Sequence, residues 1–333
     1  MPIRIGFVGI GWIAGTHMDA LSQLEDAQPV AFCDLDSERA ERAAARFGGR
    51  AYTDWRTMLD TESLDALYVC LPPHAHDGVE IAAAERGIHL FVEKPVARNL
   101  DYARRVEEAI QKAGIICSVG YHFRYYGATE RAKERLQGLP VLMVKGAWDG
   151  GMPTGTLWWR KHALSGGQLV EQTTHIFDLA RYLVGEIVEV FTYSHYNPAL
   201  LHHPEGDIAV ADVVCLKFEN GAVGVITDTN GLHAPGEVGL KVYTPERIVE
   251  VAWGRMVETE ANRKEEYFSR DNPYLRESEA FLTAIRTGDR SLIRSDYGDA
   301  VRTLAVTLAA DESGRSGRVS SLSSREGKIR YSL

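Results

Sequence analysis

The first 120 residues alternate between two patterns of apolar and polar positions. Short apolar runs predict buried strands, and the segments between them repeat apolar residues with the period of an amphipathic helix. Because strands that alternate with helices pair in parallel, this half predicts a doubly wound parallel α/β sheet. The predicted strands are Ile3–Val8, Val30–Cys33, Ala66–Leu71, His89–Val92 and Ile115–Val119, and the predicted helices are Trp12–Leu24, Ser37–Phe47 (capped by Asp36), Asp77–Arg86 and Leu100–Lys112.

The pattern changes after Tyr121, where strand-like runs dominate. Asn220-Gly221 joins two of these runs and is a strong hairpin signal, so we expect a mostly antiparallel sheet. The division therefore predicts one domain over residues 1–120 and a separate α+β domain over residues 121–333. The predicted strands are Val141–Trp148, Val188–Tyr193, Val210–Phe218, Ala222–Thr227, Val238–Tyr243 and Ile248–Trp253, and the predicted helices are Ala128–Leu136, Gln172–Leu183, Tyr274–Thr287 and Asp299–Ser313.

Composition narrows the class of protein. The chain has 333 residues, of which 45% are hydrophobic and 25% are charged, values that suit two globular domains. Its formal net charge of −9 disfavours nucleic acid and anionic membranes, although a local basic pocket still allows an anionic small molecule. There is no signal-peptide pattern and no long apolar run, so we expect a cytoplasmic protein. Buried free thiols are expected at Cys33, Cys70, Cys117 and Cys215, which lack zinc or redox spacing.

The first strand–helix junction carries a dinucleotide fingerprint, Gly9-Ile10-Gly11-Trp12-Ile13-Ala14. Gly9 permits a tight turn, Gly11 lets a pyrophosphate approach the helix N-terminus, and Ala14 lets the helix pack closely on the strand. Asp34 follows the second strand at the required spacing. A carboxylate there accepts hydrogen bonds from both ribose hydroxyls and repels a 2′-phosphate, which favours NAD over NADP. Asp34 could instead cap a helix, but Asp36 is available for that role, and the nearby Arg39 softens the preference for NAD.

Several motifs in order resemble those of one family. The sequence resembles the Gfo/Idh/MocA oxidoreductases, named for glucose-fructose oxidoreductase and inositol 2-dehydrogenase. The resemblance implies a Rossmann domain, then a domain with a large antiparallel sheet that commonly packs between subunits, and hydride transfer between NAD(P) and a carbohydrate or cyclitol hydroxyl. The motifs are the nucleotide loop extended to His17, Pro72-Pro73-His74-Ala75-His76, Glu93-Lys94-Pro95, the segment from Gly166 to Asp178, and the ending from Glu279 to Arg315.

Lys94 is the first candidate catalytic residue. It precedes a proline, so its backbone is extended, and it ends a parallel strand at the edge where such sheets bind ligands. An ammonium there favours the negative charge that develops on a substrate oxygen. By itself the residue is more consistent with a surface lysine paired with Glu93. The resemblance assigns it to catalysis and implies a cis Lys94–Pro95 peptide bond.

His175 is the second candidate. A helix over this segment places Glu171, His175 and Asp178 on one face. An imidazole titrates near neutral pH and accepts a hydroxyl proton as hydride departs, although a lone histidine on an apolar helix is more often a core residue. The resemblance implies that His175 is the general base and that Glu171 completes the set. The family more often has aspartate at position 171 and glycine at position 173, so Glu171 and Thr173 predict a reshaped pocket; Asp178 is either part of the site or structural.

The resemblance also gives the binding residues. The expected cofactor contacts are Gly9, Gly11, Trp12, Ile13, Asp34, Leu71, Pro72, His76, Glu93 and Lys94. Aromatic and arginine side chains suit sugar pockets, so the expected substrate contacts are Tyr121, Arg124, Trp148, Trp159, Arg160, Glu171 and His175, with a core or interface role open for the tryptophans. His74 and His76 lack a third ligand at metal spacing, so we expect no metal there. His202-His203 is expected in a solvated loop.

Three functions remain open from the sequence. The first is an NAD-dependent dehydrogenase acting on a secondary alcohol of a sugar or polyol, with the nicotinamide between the two domains. The second is a hydrolase that retains NAD and cleaves glycosides by transient oxidation and elimination. The third is a non-catalytic dinucleotide sensor, which the presence of both Lys94 and His175 disfavours. An uncovered apolar face on the second domain's sheet predicts a homodimer or homotetramer.

Overall fold

The computed structural model describes residues 2–152, 156–201, 205–323 and 330–332, so His202-His203 lies outside the described residues. The chain divides into two compact units, the first formed by Met1–His122 with Asn272–Val301 and the second by Phe123–Asp271 with Arg302–Leu333. The segment Asn272–Val301 thus groups with the first unit, whereas the sequence-based division gave it to a continuous second domain. No helix in the described part of the chain is both long and apolar enough to cross a membrane.

The first unit is the expected doubly wound parallel sheet. Its six strands run in the order β3-β2-β1-β4-β5-β6, and all neighbouring pairs are parallel. The strand order reverses between β1 and β4, which is where sheets of this type bind ligands at the carboxyl ends of the strands. The elements are β1 Ile3–Val8, α1 Trp12–Leu21, β2 Ala27–Cys33, α2 Ser37–Phe47, β3 Arg50–Tyr52, α3 Trp55–Thr61, β4 Ala66–Val69, α4 Val79–Glu85, β5 His89–Val92, α5 Leu100–Ala113 and β6 Cys117–Val119.

Stacked aromatic rings form the core of this unit. Tyr68 on β4 stacks on Phe7 and on Phe91, with ring centroids 5.0 and 4.5 Å apart. A later helix, Pro273–Thr287, places the buried ring of Phe281 edge-on to Tyr68 at 5.9 Å. Edge-to-face pairs at this distance are favourable beyond the area they bury. This packing explains why the segment groups with the first unit although it follows the second in sequence.

The second unit contains a ten-stranded sheet in the order β14-β13-β12-β11-β7-β10-β9-β8-β15-β16. Every neighbouring pair is antiparallel except β7 and β10. The elements, with the helix described above counted as α10, are α6 Gly127–Leu136, β7 Met143–Asp149, α7 His162–Ser165, α8 Gln168–Glu171, α9 Thr174–Val184, β8 Ile187–His195, β9 Ala211–Phe218, β10 Val223–Thr229, β11 Val238–Tyr243, β12 Ile248–Ala252, β13 Arg255–Glu260, β14 Arg263–Phe268, α11 Tyr297–Ser316, β15 Ser320–Ser323 and β16 Arg330–Ser332.

Strand parity on this sheet corrects one expectation about the cysteines. Cys33, Cys70 and Cys117 are buried as expected, but Cys215 is exposed. Residues on β9 alternate between buried and exposed positions, and Cys215 shares its exposed parity with Val213. Because side chains alternate across a strand, a cysteine in an apolar run can still point to solvent.

Candidate active site

The loop between β1 and α1 contains two glycines, and a different constraint explains each of them. Gly9 has φ +85°, and a Cβ on it would lie 2.5 Å from the carbonyl oxygen of Cys70, so the packing of the loop requires glycine. A Cβ on Gly11 would meet no atom of the described residues within 4 Å. The chain's own packing therefore does not require Gly11, whereas a pyrophosphate approaching the N-terminus of α1 does. The loop fits a bound dinucleotide.

Asp34 lies directly beside this loop. Its Oδ2 accepts the backbone N–H of Ile10 at 2.7 Å, and its Oδ1 accepts the backbone N–H of Asp36 at 2.9 Å. Asp36 is the residue that caps α2, by accepting the N–H groups of Glu38 and Arg39. The helix cap is therefore Asp36 and not Asp34. A carboxylate offers about four lone-pair sites, so Asp34 retains acceptors for ribose hydroxyls.

The other expected cofactor residues differ in exposure. Trp12 is 80% exposed at the start of α1, and Leu71 and Pro72 are partly exposed just after β4. His76 is buried and forms a hydrogen bond through Nδ1 with the carboxylate of Glu80. That carboxylate also accepts the hydroxyl proton of Tyr102 at 2.7 Å. The ring of His76 therefore anchors α4 within the first unit.

Glu93 holds the backbone on which Lys94 is mounted. His17 Nε2 and Glu93 Oε1 form a buried hydrogen bond of 2.7 Å, and the backbone N–H of Lys94 donates to Glu93 Oε2 at 3.1 Å. The Lys94–Pro95 bond is cis, as the resemblance implied. Burial, followed by the positive charge of Lys94, lowers the pKa of His122 to about 3, so this imidazole is neutral near pH 7. Lys94 is thus an ammonium on a fixed backbone beside an uncharged ring.

A buried acid on α10 lies close to this group. Glu277 is fully buried, and neither of its carboxyl oxygens has a hydrogen-bond partner among the residues that the structure describes. Burial, followed by the negative charge of Glu93, raises the pKa of Glu277 well above its ordinary value. Glu277 is therefore held as the neutral acid, because a second charge beside Glu93 in a buried site is costly.

We expect Glu277→Gln to stabilise the protein at neutral and alkaline pH. In the unfolded chain Glu277 ionises near its ordinary pKa of 4.5, whereas in the folded protein it stays protonated. Folding therefore becomes less favourable as pH rises from that value toward the folded pKa, by up to about 1.4 kcal/mol per pH unit. Glutamine removes this cost. Urea unfolding at pH 4.5, 6 and 8 should show a stability gain that grows with pH. Glu279→Gln, at an exposed position of the same helix, is the control and should show no such trend; a gain independent of pH would contradict the assignment.

In the second unit, α9 packs directly on the sheet. A Cβ on Gly146 of β7 would lie 2.5 Å from Ile176, so glycine there lets the helix approach closely. His175, at the first turn of α9, is 4% exposed. Its ring stacks on Trp148 with centroids 5.5 Å apart and lies 5.3 Å from the ring of Phe123. The imidazole is therefore held in place by aromatic side chains on two sides.

A break separates Glu171 from the helix that carries His175. Helix α9, Thr174–Val184, matches the predicted helix Gln172–Leu183 except at its first two residues. Glu171 ends α8, and α9 begins only at Thr174. The break coincides with Thr173, whose hydroxyl donates to the buried carboxyl of Asp228 on β10 at 2.5 Å. Glu171 and His175 therefore lie on separate helices, and the expected shared helical face holds only for His175 and Asp178.

Several expected substrate residues have other partners. Arg124 is buried and forms a bidentate ion pair with Asp178, with N–O distances of 2.7 and 2.6 Å. Asp178 also accepts the hydroxyl proton of Thr303, so this aspartate is structural. Arg160 is buried and donates to the carbonyl oxygen of Leu201 at 2.8 Å. Trp159 packs on an apolar cluster that includes Leu201.

Two further aromatic residues of this cluster were not anticipated. Phe123 is fully buried beside His175, and the ring of the half-exposed Trp253 lies 4.9 Å from Phe123 and 5.7 Å from Trp148. The signal for Phe123 was its place between two residues already singled out by the sequence. Tyr121, another expected contact, is buried at the end of β6 in the first unit. Within the described ranges, no three His, Cys, Asp or Glu side chains are grouped to hold a metal ion.

Family models match most of the chain. Residues 3–121 match the model described as the oxidoreductase family with an NAD-binding Rossmann fold, and residues 140–247 match the GFO/IDH/MocA C-terminal domain. Together the two matches contain the nucleotide loop, Asp34, Lys94 and His175.

Characterised relatives are sugar and cyclitol dehydrogenases. The chain is 32% identical to myo-inositol 2-dehydrogenase of Thermotoga maritima over 238 residues, 68% of each chain. It is 29% identical to levoglucosan dehydrogenase of Pseudarthrobacter phenanthrenivorans over 267 residues, 69% of this chain and 68% of the relative. Its fold matches the WlbA dehydrogenase of Bordetella pertussis, solved with NADH and UDP-GlcNAcA, with a TM-score of 0.83 at 25% identity over 96% of this chain and 98% of that one. The chain therefore belongs to the Gfo/Idh/MocA family of NAD-binding oxidoreductases.

Proposed function

We propose that this protein is a dehydrogenase that moves a hydride between NAD and a secondary alcohol of a sugar, sugar derivative or cyclitol. The observation that carries the proposal is the imidazole of His175, buried among aromatic rings at the start of α9. The relatives named for inositol and levoglucosan support this substrate class, and aromatic rings are suitable faces for the C–H groups of a sugar or cyclitol.

The proposed mechanism assigns a proton and a charge to two side chains. His175 takes the hydroxyl proton as general base, and Lys94 stabilises the developing alkoxide with its ammonium. Glu171 orients the substrate or Lys94. NAD, when bound, accepts the hydride. The cofactor is proposed to contact Gly9, Gly11, Trp12, Ile13, Asp34, Leu71, Pro72, Glu93 and Lys94.

The proposed substrate set is smaller than the sequence suggested. We retain Tyr121, Trp148, Glu171 and His175. Arg124, Trp159 and Arg160 are left out because an ion pair, an apolar cluster and a backbone carbonyl respectively engage them. His76 is left out of the cofactor set because its ring bonds with Glu80.

A screen of polyols, aldoses and cyclitols with NAD tests the proposal, with NADH absorbance as the readout. We expect net NADH formation with at least one member of these classes. Glycoside cleavage without net NADH would instead indicate the NAD-retaining hydrolase, because such an enzyme takes its hydride back in every turnover. Binding of NAD without turnover of any compound would favour the sensor.

Asp34→Ala should weaken NAD binding by about 10- to 100-fold. It should also reduce the difference between the affinities for NAD and NADP. The expected loss corresponds to hydrogen bonds between a carboxylate and ribose hydroxyls, and the repulsion of a 2′-phosphate disappears with the charge. Fluorescence titration with both nucleotides measures the effect. Asp36→Ala, which removes only the cap of α2, is the control and should leave NAD affinity unchanged. Tighter wild-type binding of NADP than of NAD would contradict the role of Asp34.

We also propose self-association through the outward face of the second unit's sheet. Tyr193 on β8 and Val213 on β9 face each other in register and are 69% and 44% exposed, and Val223 on β10 is 52% exposed. Large exposed apolar surfaces usually mark an interface. Light scattering at micromolar concentration should show a dimer or tetramer, and Val213→Lys should shift it toward the monomer. Leu292→Lys, at an exposed position of the first unit, is the control; a monomeric wild type would overturn the proposal.

A further inference from the structure

Two aspartates face each other on the sheet to which the candidate catalytic segment is attached. Asp212 on β9 pairs directly with Asp228 on β10 in the strand register. Residues of the same parity, such as Val214 and Ile226, are buried apolar side chains. Both aspartates are therefore on the buried face of the sheet, and each is only 3% exposed.

Hydrogen bonds tie each aspartate to a neighbouring hydroxyl. Ser194 on β8 donates its hydroxyl proton to Asp212, and Thr173 donates to Asp228. The two carboxyl groups are direct neighbours in the strand register, and each affects the pKa of the other. Burial raises the pKa of Asp212 to about 6, and burial together with the charge of Asp212 raises the pKa of Asp228 well above its ordinary value. Asp228 therefore carries the proton at neutral pH.

The charges around the pair oppose loss of that proton. Asp149 on β7 and Asp311 on α11 act on the two carboxyl groups, and both are negative when ionised. The adjoining α8 carries Glu171 and α9 carries His175. A second charge on the pair would place two adjacent carboxylates in a buried site, which is strongly unfavourable.

Thr173 connects this pair to the candidate active site. It is fully buried between Glu171 and His175 in sequence, and its hydroxyl bonds with Asp228 instead of capping α9. The segment is therefore attached to the sheet through this side chain.

We propose that Asp228, sharing a proton with Asp212, is a positioning residue that holds Thr173 and thereby fixes the break that orients Glu171 and His175. The proposal rests on the proposed dehydrogenase function for its kinetic readout.

Asp228→Asn and Asp228→Ala form the first test. In the asparagine variant, the side-chain amide donates to Asp212 and accepts from Thr173 without a titrating proton. We expect this variant to retain kcat at pH 7. Alanine removes both bonds and should lower kcat by about tenfold or more, because small displacements of catalytic groups are costly. NAD affinity, measured by titration, should be unchanged in both.

Thr173→Val and Thr173→Ser form the second test. They test the same attachment if a variant of Asp228 does not fold. Valine keeps the shape but removes the hydroxyl, so kcat should fall with NAD affinity unchanged. Serine restores the hydroxyl and should rescue kcat. Equal activity of Thr173→Val and the wild type at all pH values would overturn the positioning role, as would equal losses in Asp228→Asn and Asp228→Ala.

Thermal unfolding as a function of pH separates this proposal from the proposed function. The folded pKa of Asp228 is raised, so the wild type should lose stability as pH rises from about 4 toward that pKa. The Asp228→Asn variant should lose less stability over the same pH range. This difference is measurable even if no substrate is found, a result that would count against the dehydrogenase alone. Parallel stability curves for the two proteins would refute the shared proton.

Discussion

Replacing His175 with asparagine is expected to lower kcat by about 10²- to 10⁴-fold while NAD still binds. Asparagine preserves a polar side chain in the space beside Trp148 and Phe123 but cannot accept the substrate proton. The measurement is steady-state kinetics on a substrate whose deuterium isotope effect shows that hydride transfer limits the rate. His162→Asn is the matched control, because His162 lies on α7 and pairs with Asp311, outside the proposed set. Its kcat should be close to that of the wild type.

Lys94→Ala should lower kcat comparably, and the combined variant should lose less than the sum of the two effects. Non-additivity is expected because both side chains are proposed to act on the same substrate oxygen. Fully additive losses would contradict that shared role. Near wild-type kcat in His175→Asn would eliminate the assigned base, and Tyr121 would become the next candidate because its phenol can also transfer a proton.

The parts of the fold that sequence predicted well are those set by local chemistry. The turn at Asn220-Gly221 joins β9 and β10, with Gly221 at φ +89°. Asp36 caps α2 as expected. The parallel sheet followed from apolar runs that were too short for helices, and strands buried on both faces carry that signal in full. In these cases the residues that determine the structure are neighbours in sequence.

Strands β13 and β14 were not predicted, and the reason for β14 is that its stabilising partners are charged. β14, Arg263–Phe268, is mostly exposed at the edge of the sheet and has no apolar face. It pairs with β13 through the backbone ladder and through cross-strand charges such as Arg255 with Glu266. Such pairs stabilise a sheet only by about 0.2–1 kcal/mol each, and they leave no apolar alternation for a pattern to detect.

Contacts between residues far apart in the chain explain the features near the candidate site that the sequence did not predict. The residues between Val170 and Ile176 are all polar, and nothing in that run alone identifies Thr173 as the break, which coincides with a bond to Asp228 from another strand. Strand parity would have identified Asp228 as a buried acid, since Ile226 shares its face, but not its partner. Likewise, the ion-pair partner of Arg124 lies 54 residues away, so the sequence could not show that this guanidinium is already paired.

The ion pair of Arg124 with Asp178 gives the second large expected effect. Asp178→Ala should destabilise the protein by about 3–5 kcal/mol, because it leaves a buried guanidinium without its carboxylate. Replacing both residues, as Arg124→Met with Asp178→Leu, should cost less than the single change, since no charge then remains buried. Urea unfolding followed by tryptophan fluorescence is a suitable measurement, because four of the six tryptophans, at positions 148, 158, 159 and 253, lie in the second unit.

Glu237→Ala is the control for this prediction. Its partner Lys241 is partly exposed and the pair lies at 2.9 Å on the same unit, so the loss should be below about 1 kcal/mol. A double variant as unstable as Asp178→Ala would mean that shape, not charge, decides the stability of this site. An Asp178→Ala protein that unfolds like the wild type, but with a raised KM for its substrate, would show that Arg124 is not held for structure. Arg124 would then return to the proposed substrate set as a bidentate hydrogen-bond donor to substrate hydroxyls.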